Sequence, residues 1–351
     1  MKAKLIVAFL SVLFFSSSYA TLEQCYKSGA DKDYGNVLKT CQPYNKTDAR
    51  ATGLLAEAYI QLDENDKDAL NDALWAIDFY KKNGIPAHDK KSYSYLLYLV
   101  GELYYFGSND IKINQQKGLE YIIGAAKLGY AIAQNQLGNF YVRAGSVPAP
   151  NFAKAYKWYK LAIANGSLEA RSSFLINNEQ SFIDRYPYCI SQGKTFIGDA
   201  FFTGEGDLPK NVDEALKWYK MAYKIDHISP VEVGLAKAYI VKGDKKSAKK
   251  YVQEAIEQPY APAFVIAAEL SDSNIDKYAY LSQAISLYKT PALNFWNQFN
   301  AYCRPNLSDK GLSIAQAELA KIKLSQEELA QANKKVKNFQ NSWQKKPTEN
   351  S

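Results

Sequence analysis

The sequence predicts an all-α protein, an α/α solenoid superhelix of stacked helical hairpins. Three observations predict it. Apolar residues recur at spacings of three and four along most of the chain, the period of amphipathic helices. Paired helical segments are separated by loops rich in Gly, Pro and Ser. One such pair, residues 131–166, has copies elsewhere at the same internal spacing. A hairpin that cannot bury its own apolar face needs copies to stack against.

The first twenty residues stand apart. Lys2 and Lys4 precede an apolar run at 5–15, and Ser18 and Ala20 hold the small-residue positions of a cleavage site. This is the layout of a secretory signal peptide, so 1–20 is set aside from the fold. The apolar run is shorter than the roughly 20 residues a membrane-spanning helix needs. No later stretch is long and apolar enough either. The expectation is an exported chain without an integral membrane span, located in the periplasm or associated with the outer membrane or cell surface. Losing Lys2 and Lys4 lowers the formal charge from +7 to +5. The charges read as well mixed, most of them on solvated helix faces. A charge this modest does not mark a nucleic-acid binder, which would carry a concentrated basic stripe.

Cys25, Cys41, Cys189 and Cys303 are the four cysteines. An even number in an exported chain points to disulfides, and four allow three pairings. Cys25 and Cys41 lie on two short helices and would clip the first hairpin; Cys189 and Cys303 would then close a long loop. Four buried thiols are the alternative. A metal site lacks material, because there is no CxxC and His88 and His227 are the only histidines.

The helices follow in order. Asp33, Tyr34, Val37, Leu38 and Cys41 mark a helix leading into 49–59. Four repeat copies then share one spacing. From Gly138, Tyr141 lies three residues on, Ala155 seventeen, Trp158 twenty and Gly166 twenty-eight. From Gly198 the same steps reach Phe201, Ala215, Trp218 and Asp226; from Gly101, Tyr104, Gly118, Tyr121 and Gly129; from Ala56, Tyr59, Ala73, Ala76 and Gly84. Each copy has an aromatic residue three after its reference, and three end on Gly, the residue suited to the left-handed stop of a helix. The best copy places Ala133, Leu137, Phe140 and Tyr141 on one face of its first helix. Its second helix carries Ala155, Trp158, Tyr159, Ala162 and Ile163. The predicted repeat core is therefore Leu137, Gly138, Tyr141, Ala155, Trp158, Tyr159, Ala162, Gly198, Phe201, Ala215, Trp218 and Tyr219. Truncating Trp158 to Ala should cost roughly 3–5 kcal/mol if it is buried.

An insertion at 167–187 breaks the period. Residues 230–258 and 262–288 form two shorter hairpins, completing a repeat region over 21–289. Residues 290–344 form a C-terminal helical cap or coiled coil, opening with an aromatic stretch that contains Phe295, Trp296, Phe299 and Tyr302. Ser325 with Glu328 is a capping box that starts the last helix. Leu319, Ile322, Leu329, Val336 and Phe339 approximate a heptad seam, interrupted by Gln326 and Asn333. Two readings follow: a terminal helix that caps the solenoid, and a homo-oligomer formed through these helices. The tail at 345–351 reads as disordered.

The residues Ala133, Leu137, Gly138, Tyr141, Lys154, Ala155, Trp158, Tyr159, Ala162 and Gly166 resemble the Sel1-like repeat, a relative of the tetratricopeptide repeat. Ile197, Gly198, Gly204, Gly206, Ala215, Trp218, Tyr219 and Ala222 fit the same pattern, with Asn211 where the family usually has Asp. The resemblance runs over about residues 25–288. It implies an α/α superhelix whose concave face binds proteins or peptides, and a layout similar to exported, virulence-associated surface proteins of bacteria.

No catalytic constellation accompanies it. There is no GxSxG, HExxH or phosphate-cradling loop. Gly204 and Gly206 form a lone GxG that the repeat loop explains. Two SxxK strings, Ser247 with Lys250 and Ser286 with Lys289, sit on helices among surface residues and lack a following KTG. Asn45, Asn165 and Asn306 head glycosylation sequons. The sequence therefore predicts a non-enzymatic interaction scaffold, with no cofactor and no metal. Its partners would be proteins or peptides, including outer-membrane or cell-wall-associated ones, met by some of the 27 tyrosines. Two other readings are a regulator of a periplasmic peptidoglycan-processing enzyme and an unrecognised hydrolase using the insertion.

Overall fold

A computed structural model describes residues 20–143, 151–289, 303 and 309–344. The signal-like segment 1–19, the aromatic stretch at 290–302 and the tail at 345–351 lie outside the described residues. All described regular structure is helical. The chain divides into two compact units, Met1–Gly118 and Leu119–Ser351.

In the first unit, α1 (Leu22–Ala30) and α2 (Tyr34–Cys41) form a short hairpin bridged by Cys25–Cys41, whose Cα atoms are 4.8 Å apart. Their buried Val37 packs with Ala51, Leu55 and Ala58 of α3 (Ala49–Gln61). α4 (Asp66–Asn83) and α5 (Lys90–Phe106) follow. α6 (Gln115–Lys127) contains the unit boundary. A Cβ at its Gly118 would lie 2.7 Å from the Gly101 carbonyl and 2.6 Å from the Tyr105 amide nitrogen. This close approach explains why one copy has Gly where the others have Ala.

In the second unit, α7 (Ala131–Val142) pairs with α8 (Phe152–Ala164). The insertion forms a 3₁₀ turn at Glu169–Ser172 and two short helices, α9 (Phe174–Asn177) and α10 (Glu179–Arg185). Three further hairpins follow: α11 (Pro187–Thr203) with α12 (Val212–Tyr223), α13 (Ser229–Val241) with α14 (Lys245–Ala255), and α15 (Ala261–Leu270) with α16 (Asn274–Lys289). Last come α17 (Asp309–Leu319) and α18 (Gln326–Gln344).

The repeat spacing has local causes. Gly84, Gly129 and Gly166 all have positive φ, +87°, +93° and +93°, which stops each second helix. In the four copies that share the spacing, each second helix opens on an Asn. The Asn65, Asn114, Asn151 and Asn211 side chains accept from the backbone N–H groups of Asp68, Lys117, Lys154 and Glu214. In three copies that Asn also donates its own backbone N–H to the carbonyl of the aromatic residue, Tyr104, Tyr141 or Phe201. The Ala56 copy departs, with its second helix starting a turn earlier after Asn65.

Most of the predicted core is buried: Leu137, Ala155, Trp158, Tyr159, Ala162, Ala215 and Tyr219 are at most 5% exposed, and Gly138 and Gly198 are buried. Tyr141, Phe201 and Trp218 are only half-buried. They sit at the edge of the cluster around Tyr156 and Tyr159. There Lys154 lies 5.2 Å from the Tyr141 ring centre and Lys194 lies 5.8 Å from that of Trp218. The Tyr141 and Trp218 rings thus pack against the core cluster and also meet a cation.

The glycines at the repeat reference positions are sites for tyrosine rings. A Cβ on Gly138 or Gly198 would come within 2.5 Å of the Tyr159 or Tyr219 ring. Tyr219 is also pressed against Gly234 of α13, where a Cβ would come within 2.6 Å. Each hydroxyl donates to the residue after its reference glycine: Tyr159 to Asn139 at 2.8 Å and Tyr219 to Asp199 at 2.7 Å. Gly198→Ala should therefore destabilise the protein by about 1–3 kcal/mol through overpacking. Gly35→Ala, whose nearest neighbour would be 3.9 Å away, should be neutral or mildly stabilising. Urea unfolding of the two variants checks the contrast.

Candidate functional site

The first helices of the second unit's later hairpins leave an open groove. α11 contributes Gln192, Thr195, Phe196 and Asp199; α13 contributes Pro230, Val233, Gly234 and Lys237; Tyr260 closes one end. A notch of about 80 Å³ lies there. Small-molecule sites usually measure about 300–1,000 Å³, so this notch is scaled to the tip of one side chain. Gln192 is 1% exposed, and its carboxamide oxygen has no hydrogen-bond partner among the described residues. Leaving such an acceptor unpaired costs about 1–3 kcal/mol, which a donor from an incoming chain would recover. Burial, reinforced by the Asp199 charge, pushes the Tyr260 hydroxyl well above its ordinary range and keeps it neutral. Asp199 and Lys237 give the notch one charge of each sign.

The predicted insertion is bound tightly to the stack. Phe152 of α8 meets Phe182 at 5.5 Å and Tyr186 at 5.6 Å. Glu179 pairs with Lys194 at 2.5 Å and Lys160 at 3.1 Å, and Lys194 donates to the Tyr156 hydroxyl at 3.0 Å. Lys194 is only 8% exposed. Burial alone would raise the Glu179 carboxyl; the Lys194 hydrogen bond and the Lys194 and Lys160 charges outweigh it and hold the carboxyl below its ordinary range.

Glu232, in the first turn of α13, is the opposite case. It is 3% exposed, and one carboxylate oxygen has no partner among the described residues. Burial and the nearby charges of Glu254, Glu257 and Asp226 push its carboxyl up to about 8.

The structure pairs Cys189 with Cys303, Cα atoms 5.2 Å apart, joining α11 to the region after α16. Leu319, Ile322 and Phe339 of the heptad-like seam pack within the chain onto the α15–α16 cluster. Phe339 lies 5.4 Å from Phe264 and 5.6 Å from Tyr280. A mixed groove of about 600 Å³ remains beside α17, with Ile314 and Leu281 in its wall and Lys277, Lys321, Glu269 and Glu318 at its rim. Among the described residues no helix is long and apolar enough to cross a membrane, and no group of three or more His, Cys, Asp or Glu could hold a metal ion.

The Sel1 repeat family matches residues 94–130, 131–167 and 192–227. The chain carries three Sel1 repeats. Such repeats generally act as protein–protein interaction scaffolds. The three matches are the copies referenced to Gly101, Gly138 and Gly198, and the gap between the last two contains the insertion. The copy at Ala56 lies outside the matches but folds as the α3–α4 pair. A protective antigen present in uropathogenic Escherichia coli strains, displaying an SLR fold, is 12% identical, with 94% of this chain and 98% of that chain covered and a TM-score of 0.31. A Sel1 repeat protein from Oxalobacter formigenes is 14% identical, with 85% of this chain and 100% of that chain covered and a TM-score of 0.33. No curated protein matches the sequence.

The sequence reading missed three things: the Gln192 notch, the buried pair of Lys194 with Glu179, and the Asn caps. The caps had a signal, because Asn114, Asn151 and Asn211 each fall thirteen residues after the reference glycine.

The two carboxylates give opposite pH dependences. Glu179, depressed in the fold, adds stability that is present above its unfolded value and lost as pH falls through its folded value. Glu232, raised in the fold, lowers stability as pH rises from about 4.5 to about 8. Near pH 7 that penalty is about 3 kcal/mol. Glu232→Gln should raise the unfolding free energy at pH 7 and flatten its pH dependence between 5 and 8. Glu179→Gln should lower stability by about 3–5 kcal/mol, because Lys194 is left buried beside a neutral group. Denaturation of both variants at pH 5 and 7.5 separates the effects.

Proposed function

We propose that this chain is a non-enzymatic scaffold of the bacterial envelope or cell surface, recruiting a polypeptide partner in the groove between α11 and α13 beside Tyr260. It would support envelope integrity or interaction with a host. The observation that carries the groove reading is the notch. It is sized for one side chain, has a buried unpartnered acceptor in Gln192 and carries charges of both signs at Asp199 and Lys237. Export is supported by the signal-like N-terminus and by two cystine bridges, which persist in oxidising compartments.

A photo-crosslinking amino acid at Phe196 should capture a discrete protein in living cells, whereas one at Lys39, on α2 of the first unit, should not. Equal capture from both positions would count against the groove. N-terminal sequencing of the mature protein should begin at Thr21; an intact Met1 would remove the export reading. A hydrolytic turnover that one point substitution abolishes would defeat the non-enzymatic reading.

A further inference from the structure

The net charge of the chain is not evenly spread. Residues 210–250 contain ten lysines against five acidic residues, so this stretch supplies five of the seven net positive charges of the chain. The even mixing read from composition fails here, and the helices show how the charge is arranged. On α12, Lys217, Lys220 and the following Lys224 share the exposed side, opposite buried Ala215, Tyr219 and Ala222. On α14, Lys245 and Lys249 form one i, i+4 row and Lys246 and Lys250 the next, opposite buried Ala248, Val252 and Ala255.

Two tyrosines join these faces. Lys220 lies 5.8 Å from the ring centre of Tyr239 on α13. Tyr239 stacks on Tyr251 of α14 at 5.7 Å, with planes 7° apart. Lys250 lies 5.2 Å from the ring centre of Tyr251. Tyr223 meets Tyr251 edge-on at 5.5 Å and stacks on His227 at 3.9 Å. Some lysines are neutralised, with Lys217 on Glu214, Lys242 on Asp213, Lys249 on Asp272 and Lys250 near Glu254. Lys220, Lys224, Lys245 and Lys246 form no ion pair with the described residues. Tyr239 is two positions from Lys237 on α13, about 200° around the helix. The layer therefore faces away from the groove, and its reading stands or falls separately.

We infer that the surface formed by α12, the Tyr239–Tyr251 stack and α14 docks an acidic segment of a partner polypeptide. Charge complementarity favours this occupant, with exposed lysines that form no ion pair flanking a half-buried tyrosine pair whose exposed edges can meet a peptide backbone or aliphatic stem. A lipid surface is the poorer fit. Interfacial helices pair their lysines with a broad apolar face that enters the bilayer. Here the rings are half-buried against each other, and Met221 and Val241 are the exposed large apolar residues of these three helices.

The test uses the full mature, disulfide-bonded protein and a fluorescein-labelled poly-L-glutamate peptide of about 20 residues, read by anisotropy. Phosphatidylglycerol vesicles and a poly-L-lysine peptide are run in parallel. The glutamate peptide should bind, the lysine peptide should not, and binding should weaken steeply between 50 and 200 mM salt. Reversing Lys220, Lys224, Lys245 and Lys246 to Glu together should weaken binding by about tenfold or more. The same reversal at Lys39, Lys81, Lys82 and Lys91 of the first unit should change it less than about twofold. Arg at the four docking positions should restore binding, which excludes misfolding as the cause. Equal loss in both reversal sets would reduce the effect to net charge and overturn the proposal. So would absent peptide binding, or binding confined to the vesicles. Capture at Phe196 reads the groove independently of every outcome here.

Discussion

The second unit depends on a tyrosine ring seated where only glycine leaves room. Tyr219 of α12 is the fullest case, 1% exposed and pressed between Gly198 of α11 and Gly234 of α13. One ring therefore packs a hairpin together and joins it to the next. Its hydroxyl, fixed on Asp199, satisfies the one polar atom such a ring would bury. Tyr159 repeats the arrangement with Gly138 and Asn139. Tyr156 reaches forward in the same way, over Gly193 and out to Lys194. Because the ring occupies the volume a Cβ would take, the separation of the paired helices follows from residue identity at two positions.

The insertion is held by a different force. Its helices are too short to bury much apolar surface, and an ion cluster around half-buried Glu179 and buried Lys194 supplements the Phe152 contacts. Glu179 satisfies two lysines from two different helices, so insertion, α8 and α11 share one electrostatic unit. Buried ion pairs add little net stability but penalise every arrangement that separates them. That suits a segment that must sit in one place between two repeats. Glu232 shows the converse, a buried carboxyl raised by neighbouring acids with one oxygen unpartnered among the described residues, which α13 tolerates because protonation relieves the charge.

The fold was largely legible in the sequence, because periodicity and glycine stops are local signals. Gly84, Gly129 and Gly166 could be read as helix ends since a positive φ leaves few alternatives. The role of Gly138 was harder to read. Its spacing marked it as a repeat reference, but nothing local showed that the Tyr159 ring fills the space a Cβ would take. Tyr141, Phe201 and Trp218 looked like core because they recur, yet recurrence cannot distinguish a buried ring from one left half-buried at the edge of the cluster. The notch was illegible for a simpler reason. Gln192, Asp199, Lys237 and Tyr260 come from three segments separated by up to 68 positions, and nothing local marks their meeting.

These constraints divide the surface between architecture and recognition. A residue that recurs in register, such as Tyr159, Tyr219 or the capping Asn151 and Asn211, is already committed to packing or to a helix end. Its side chain cannot also discriminate a partner. Residues free to do so lie where one copy departs from the others. The Gln192 carboxamide oxygen has no hydrogen-bond partner among the described residues, and the lysines of α14 belong to a hairpin outside the three family matches, where a tight Gly243 turn replaces the longer loop. Divergence at these positions leaves the joints untouched. A repeat scaffold can therefore change what it binds without changing how it folds, provided the change avoids the glycines and the rings they hold.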